Sequence, residues 1–155
     1  MNFTEKLSAP RRSVFREITD FDNLQERLPN VFLSIRVLER SKSYLVTEES
    51  FSAMGTVVTQ RSKHKLRAPT THEVEILSGD LRGSSIVERY SDSAEGGTVV
   101  RVDADFVLGG FLSLLPQFIV RPLIEGSVRR VFTELEGVLG PGPTRRSSGR
   151  TRSPA

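Results

Sequence analysis

The sequence predicts an α+β domain in which an antiparallel sheet of six or seven strands is followed by one long helix. Three observations support this prediction. Residues 33–106 alternate apolar and polar side chains in short segments that turn residues separate. Two short helical segments precede that series, and an amphipathic segment follows it to Leu139. Strands grouped together, with helices at the ends of the series, are typical of α+β domains.

The first strand is predicted over residues 3–7, and two short helices follow it. Pro10 suits the start of a helix, where its missing N–H is not needed. Apolar residues then recur at helical spacing: Val14, Phe15 and Ile18. Asp20 is the expected N-cap of the second helix, which Pro29 ends. The apolar face of that helix holds Phe21, Leu24 and Leu28.

Six further strands are predicted over residues 33–37, 44–53, 56–66, 71–77, 83–90 and 100–106. Strand 56–66 carries all its charge on one face, so the opposite face should point inward. That inward face holds Val58, Gln60, Ser62, His64 and Leu66. The last strand should turn Val100, Val102, Ala104 and Phe106 inward. The inward face of strand 83–90 stays open, because Ser84 and Ser85 permit either register.

A hairpin at residues 67–70 should bring the sequence's two histidines together. If its turn centres on Ala68, His64 lies opposite His72. The same register gives two further pairs, Ser62 with Val74 and Gln60 with Ile76. The histidines are candidate acid–base groups toward a bound ligand. Without a placed carboxylate they are too few for a metal site, and a buried pair with no chemical role is the alternative.

Carboxylates occur in two clusters on predicted strands. Asp103 and Asp105 share a face with Arg101, so they should form a charged exterior. Of Glu48 and Glu49, one must point inward if the strand is regular. An inward glutamate could anchor a polar ligand group or could reach water at a strand end.

Residues 106–120 form an uncharged run that ends just before Arg121. It is too short and too interrupted by glycine, proline and glutamine for a membrane span. The run should form the wall and entrance of a cavity, with Pro116 and Pro122 as hinges. A lid that dips into a membrane is the alternative. The helix beyond it presents an apolar stripe: Ile124, Val128, Val131, Phe132, Leu135 and Leu139.

Composition excludes several classes of function. The chain has no cysteine, so disulfides and thiol catalysis are excluded. Without the four arginines of residues 141–155, the net charge of +3 becomes −1, so no specific nucleic-acid partner is expected. Residues 141–155 should be a disordered basic tail. Motifs of serine hydrolases, P-loops and dinucleotide sites are not seen, and the N-terminus favours a cytoplasmic location, with peripheral membrane contact as an alternative.

The stretch from Ala9 to Phe21, continuing to Leu28-Pro29, resembles the opening of the START-like, or SRPBCC, superfamily. Gly96-Gly97-Thr98 before the last strand, and the long terminal helix, also match. The resemblance covers residues 1–140. The superfamily includes the polyketide cyclase/dehydrase and coenzyme Q-binding branches. It implies a helix-grip fold, in which a curved sheet wraps the last helix around an apolar cavity. It carries no family-wide catalytic residue.

The combined expectation is a domain that binds or transports a hydrophobic molecule, such as a lipid, a quinone or a polyketide-like compound, without a cofactor. The candidate ligand-binding residues are Val58, Gln60, Ser62, His64, His72, Val74, Tyr90, Val100, Val102, Phe106, Phe111, Leu115, Phe118 and Arg121. A cyclase-type enzyme that uses His64 or His72 is the first alternative. A membrane-associated binder is the second, with residues 111–118 and the arginine tail as its contacts.

Overall fold

A computed structural model describes residues 1–53 and 55–140. The elements in chain order are β1 Asn2–Leu7, α1 Arg11–Ile18, α2 Leu24–Arg27, β2 Phe32–Arg40, β3 Leu45–Ala53, β4 Thr56–Arg67, β5 Thr71–Ile76, β6 Ser85–Asp92 and β7 Thr98–Asp105, followed by a 3-10 turn at Gly110–Leu114 and α3 at Gln117–Leu139. The predicted basic tail, residues 141–155, lies outside the described residues.

The described strands form one antiparallel sheet in the order β1-β7-β6-β5-β4-β3-β2. Each strand from β2 to β7 pairs with its neighbour in sequence, and β1 completes the sheet beside β7. The helices α1 and α2 lie in the connection between the two edge strands. This curved seven-stranded sheet with a long C-terminal helix is the helix-grip α+β fold that the sequence predicts.

The core lies where α1, α2 and the second half of α3 cover the inner face of the sheet. Val100 and Val102 of β7 are fully buried, as are Phe132 and Leu135 of α3. The predicted stripe on α3 faces this core from Val128 onward, since Val128, Val131 and Leu139 pack against it, whereas Ile124 lies nearer the start of the helix and is half-buried. The helix packs on β1 and α1, with Phe132 and Leu135 buried in its C-terminal half and Val120 buried in its first turn.

The register between β4 and β5 differs from the predicted one. The loop closes with a hydrogen bond from the Thr70 N–H to the Arg67 carbonyl oxygen at 2.9 Å, so its centre is Pro69 rather than Ala68. The observed pairs are His64 with Val74, Leu66 with His72, and Ser62 with Ile76. A shift of two residues keeps every side chain on its predicted face, because faces alternate with a period of two.

Several element boundaries also differ from prediction, most clearly those of the second helix and of β6. The second helix has one turn, Leu24–Arg27, and its N-cap is Asn23 rather than Asp20. Asp20 lies in the preceding turn instead, where its carbonyl oxygen accepts hydrogen bonds from the N–H groups of Asn23 and Leu24. The strand predicted over residues 83–90 runs from Ser85 to Asp92 instead. Gly83 has a positive φ of 88°, which ends the turn before the strand begins.

Candidate functional site

A row of polar and titratable side chains lies on the inner face of the sheet and crosses four neighbouring strands. Its members are Thr47 and Glu49 on β3, Gln60, Ser62 and His64 on β4, His72 on β5, and Glu88 and Tyr90 on β6. All except Gln60 are buried. Each strand supplies this row from alternate positions, so strand pairing alone brings the groups together.

Glu49 forms one end of the row and is held by several donors. The Thr47 hydroxyl donates to Glu49 Oε1 at 2.7 Å, and the Ser62 hydroxyl donates to Glu49 Oε2 at 3.1 Å. Gln60 Nε2 donates to the same Oε2 at 3.4 Å. The prediction that one of the two adjacent glutamates points inward is therefore confirmed. Its neighbour Glu48 lies on the outer face, where it pairs with arginines.

The two histidines lie side by side in the middle of the row. His64 Nδ1 is 2.9 Å from His72 Nε2, and the ring centroids are 5.2 Å apart. The outward nitrogen of His64, Nε2, lies 2.8 Å from Thr47 Oγ1 and 3.2 Å from Glu49 Oε1. The histidines are diagonal neighbours rather than the directly opposed pair expected, yet they are in hydrogen-bonding contact.

Glu88 and Tyr90 form the other end of the row. His72 Nδ1 lies 2.8 Å from Glu88 Oε2, and the Tyr90 hydroxyl donates to the same oxygen at 2.5 Å. Four of the titratable groups therefore form one continuous chain, with Tyr90 as its terminal donor. We call the residues Glu49, His64, His72, Glu88 and Tyr90 the buried chain.

Aromatic rings from the α1–α2 region cover the buried chain. The Phe21 ring lies 4.3 Å from the His64 ring and 6.0 Å from the His72 ring, centroid to centroid. The Phe15 ring meets Tyr90 edge to face at 5.2 Å. This cover removes the chain from water, so each of its polar groups depends on a protein partner.

Burial and hydrogen bonding shift the pKa values along the chain in known directions. Burial acts to raise the pKa of Glu49 and that of Glu88. The partners of each carboxylate outweigh this effect and lower both pKa values: His64, Thr47 and Gln60 act on Glu49, and His72 and Tyr90 act on Glu88. Burial is the largest influence on His64 and lowers its pKa. Burial, then the charge of Glu88, raises the pKa of Tyr90 well above 10.

The arrangement is suited to proton exchange rather than to holding a metal. The facing nitrogens of His64 and His72 are at hydrogen-bonding distance, which leaves no room for an ion between them. Within residues 1–53 and 55–140, no cluster of three or more histidine, aspartate or glutamate side chains has the arrangement of a metal site.

A separate cavity of about 200 Å³ opens between the end of β7 and the beginning of α3. Its lining residues are Met1, Ala104, Asp105, Phe106, Leu108, Gln117, Arg121 and Ile124. Apolar side chains from both elements form its walls, and Gln117, Arg121 and Asp105 supply polar groups. The cavity therefore combines apolar surface with a few hydrogen-bonding groups, as ligand sites do.

The uncharged run forms one side of this cavity and an exposed apolar rim beside it. Phe106 and Leu108 line the cavity, whereas Phe111, Leu114 and Phe118 are 62%, 80% and 78% exposed. Pro116 separates the 3-10 turn from α3, and Pro122 lies inside the helix. No helix of the described residues is long and apolar enough to cross a membrane.

The predicted ligand-binding residues do not lie in one place, and only two of them line the cavity. Phe106 and Arg121 line the cavity. Gln60, Ser62, His64, His72 and Tyr90 belong to the polar row, and Val100 and Val102 lie in the core. Phe111 and Phe118 belong to the exposed rim, and Val58, Val74 and Leu115 are half-buried. Of the two aspartates predicted on the exterior, Asp103 lies on the outer face and accepts from Arg89 at 2.6 Å, whereas Asp105, at the end of β7, is exposed and also lines the cavity.

Sequence reasoning missed Glu88, Thr47 and the covering role of Phe21. A signal for Glu88 was present, because it shares its face of β6 with Tyr90 at a spacing of two. An inward Tyr90 would have placed Glu88 inward as well. The contact of Phe21 with the histidines joins residues far apart in the sequence, and no local pattern indicates it.

No family model matches this sequence. No curated protein matches it significantly either. The structure is nevertheless similar to several solved structures. It superposes on a START superfamily protein from Mycobacterium smegmatis with a TM-score of 0.75 at 15% identity, which covers 88% of this chain and 94% of that one.

Two aromatase/cyclases are also similar. The Zhui aromatase/cyclase of Streptomyces sp. R1128 has a TM-score of 0.71 at 18% identity, with 90% of this chain and 89% of that chain covered. The di-domain aromatase/cyclase BexL of the BE-7585A biosynthetic pathway has a TM-score of 0.76 at 17% identity, with 92% of this chain and 50% of that chain covered. The sheet order, the C-terminal helix and these neighbours together show that the chain has the START-like, helix-grip fold.

Proposed function

We propose that this protein binds an apolar small molecule in the cavity between the end of β7 and the first turns of α3. The observation that carries the proposal is the position of the uncharged run. It forms part of the cavity wall and exposes large apolar side chains beside it. Burying such surface against a ligand contributes about 25 cal/mol per Å² removed from water.

The polar groups of the cavity favour a ligand that carries oxygen. Arg121 and Gln117 can donate hydrogen bonds to a carbonyl or phenol oxygen, and Asp105 can accept one from a hydroxyl. The neighbours named aromatase/cyclases favour a polyketide-like or aromatic compound over a lipid or a quinone. We therefore propose an oxygen-bearing aromatic or polyketide-like ligand.

The size of the cavity requires movement for a larger ligand. Sites for small molecules are about 300–1,000 Å³, whereas this opening is about 200 Å³. The first half of α3 is the element that would make room, because most of its side chains other than Val120 are exposed, whereas Phe132 and Leu135 fix the second half in the core. Pro116 and Pro122 flank the segment that would move.

Binding, rather than catalysis, is the function we propose. Acid–base chemistry by His64 or His72 would need a ring nitrogen that reaches the ligand. In the structure the four ring nitrogens have protein partners within 3.2 Å, and Phe21 covers both rings. The cavity residues named above do not include either histidine.

A pair of tryptophan substitutions on α3 tests the site, with 2-naphthol as the probe. Ile124→Trp fills the cavity from the helix, whereas Val138→Trp places the same ring on an exposed position at the far end of the helix. We expect Ile124→Trp to weaken 2-naphthol binding at least tenfold in calorimetric titration and Val138→Trp to leave it unchanged. Equal affinity in both variants would contradict the proposed site.

The exposed rim favours membrane contact as a second candidate function. Phe111, Leu114 and Phe118 together present a contiguous segment of large apolar side chains, which is unusual on a free surface. Sedimentation with vesicles of phosphatidylcholine and phosphatidylglycerol tests it. The double variant Leu114→Ser/Phe118→Ser should lose vesicle binding, and the exposed control Val57→Ser should retain it. Absence of wild-type sedimentation would remove this candidate.

A further inference from the structure

We propose that the buried chain is a proton-binding site that holds, at neutral pH, one proton more than two neutral imidazoles and two carboxylates would carry. The inference concerns the chain alone and does not depend on ligand binding at the cavity. It follows from counting the hydrogen that each contact requires, beginning at the two ends.

At the Glu88 end, the direction of donation is fixed by Tyr90. The phenol O–H donates to Glu88 Oε2, and the same oxygen lies 2.8 Å from His72 Nδ1. An ionised Glu88 offers lone pairs to both groups, so His72 Nδ1 carries a hydrogen and donates it. The lowered pKa of Glu88 agrees with an ionised carboxylate at this end.

At the Glu49 end, the direction is fixed by Thr47. A hydroxyl has one hydrogen, and Thr47 donates it to Glu49 Oε1. Thr47 Oγ1 can therefore only accept from His64 Nε2, which lies 2.8 Å away. His64 Nε2 thus carries a hydrogen, which also points toward Glu49 Oε1 at 3.2 Å.

The middle contact then requires a third hydrogen. His64 Nδ1 and His72 Nε2 face each other at 2.9 Å. If both rings were neutral with hydrogens on their outward nitrogens, two lone pairs would oppose each other at that distance inside the protein. One hydrogen between them makes a normal bond. Moving protons along the chain, for example onto Glu88, leaves their total the same.

The geometry places the extra charge on His72. Its Nδ1 has one carboxylate partner at 2.8 Å, whereas His64 Nε2 is shared between a hydroxyl and a carboxylate at 3.2 Å. His72 is then an imidazolium that donates from both nitrogens. His64 is a neutral ring that accepts at Nδ1 and donates from Nε2. The lowered pKa of His64 is consistent with this assignment.

No other charged group of the described residues contacts the two histidine rings. Glu49 faces them from β3 and Glu88 from β6, with Gln60 and Ser62 as neutral neighbours on β4. The α1–α2 region brings the neutral Phe21 ring to the histidines. The ion pairs given for the charged residues of that region are with other charged groups and not with the histidines: Arg27 pairs with Glu17 and, at 3.7 Å, with Asp20, and Arg11 pairs with Asp92.

Both the gain of a second proton at low pH and the loss of the held proton at high pH should disturb the contact between His64 and His72. A second proton, on His64 Nδ1, would oppose two N–H groups across the 2.9 Å contact and push the rings apart beneath Phe21. Loss of the held proton would oppose two lone pairs at the same place. The packing of the α1–α2 cover is therefore coupled to the proton content of the chain.

The ring nitrogens of the ¹⁵N-labelled full-length protein report this state directly in long-range ¹H–¹⁵N correlation spectra. At pH 7 we expect one ring with both nitrogens protonated, assigned to His72, and one neutral ring protonated at Nε2, assigned to His64. Two neutral rings, or two imidazolium rings, in the wild-type protein at pH 7 would overturn the proposal without any variant.

Two matched substitutions test where the proton is held. Glu88→Gln removes the charge beside His72 but keeps a hydrogen-bond acceptor, and the imidazolium signature at pH 7 should disappear. Glu49→Gln makes the same change at the other end and should leave that signature in place. The reverse pattern, or an imidazolium that survives in both folded variants, would contradict the assignment. Should Glu88→Gln fail to fold, Tyr90→Phe, which leaves the Glu88 charge in place, should retain the imidazolium, and its loss there would also count against the site.

Discussion

Among single residues, Phe21 is the one whose loss we expect to lower the free energy of unfolding most. Its ring is 6% exposed and lies on both histidines, so it fills core volume and keeps water from the buried chain. Removing a buried aromatic side chain leaves a cavity as well as losing apolar burial. Phe21 thus connects the apolar core to the polar row.

We predict that Phe21→Ala lowers the free energy of unfolding by about 3–5 kcal/mol. The matched control is Phe111→Ala, because that ring is mostly exposed and its loss should change stability by no more than about 0.5 kcal/mol. Urea unfolding followed by circular dichroism measures both. Equal losses in the two variants would mean that Phe21 is not packed as described.

The residue scale also shows how far the sequence could predict the site. The inward face of β4 could be predicted because charge alternates along that strand. The predicted register was wrong by two residues, yet the histidines still meet, because an even shift preserves the face. Glu88 could be predicted only through an inward Tyr90, because the register of its strand was ambiguous. The cover by Phe21 could not be predicted, because it depends on packing between distant segments.

At the scale of elements, two glycines differ in their surroundings: Gly97 lies where two strands approach closely, and Gly137 lies on an open face of α3. A Cβ at Gly97, just before β7, would lie 2.2 Å from the Leu7 carbonyl oxygen at the end of β1. A Cβ at Gly137, in the last turn of α3, would meet nothing within 4 Å. The first position therefore fixes the approach of β1 to β7, whereas the second only weakens the helix.

We predict that alanine at Gly97 lowers the free energy of unfolding and that alanine at Gly137 raises it. Gly97→Ala should destabilise the domain by several kcal/mol, since backbone atoms rather than a flexible side chain must move. Gly137→Ala should stabilise it by up to about 1 kcal/mol, because alanine is the better helix former. Thermal and urea unfolding give both values. Neutral behaviour of Gly97→Ala would refute the close β1–β7 approach.

The elements themselves were predictable where periodicity is strong. The alternation of β7 and the apolar stripe of α3 were predicted correctly, because each buries one face against the core. The uncharged run has no helical or strand periodicity of apolar residues, so its structure could not be predicted in this way. Pro116 divides it into a 3-10 turn and the start of α3. Whether that segment opens stays a prediction.

At the scale of the whole molecule, the buried chain should give stability a maximum near pH 6.5. Below that pH the unfolded chain gains protons that His64, with its lowered pKa, does not bind, so stability falls as the pH falls. Glu49 and Glu88, whose pKa values are also lowered, extend the loss below about pH 4.3. Above pH 6.5 the folded protein holds one proton that the unfolded chain releases, so stability falls again.

Urea unfolding at a series of pH values from 4 to 9 measures this profile. Above about pH 5.5 each limb should approach a slope of about 1.4 kcal/mol per pH unit at most, as expected for one proton, and the acid limb should steepen near pH 4 as Glu49 and Glu88 contribute. Glu88→Gln should remove the alkaline limb and Glu49→Gln should keep it. A wild-type stability that rises steadily from pH 5.5 to pH 8.5 would argue against a held proton.

For the whole molecule, we propose that the fold encloses a small apolar ligand between β7 and α3. Backbone ¹H–¹⁵N spectra recorded during a 2-naphthol titration test it most directly. We expect saturable shifts centred on Phe106, Leu108, Arg121 and Ile124, with smaller ones along the first half of α3. Saturable shifts confined to the outer face of the sheet, or no saturable shift at all, would contradict it.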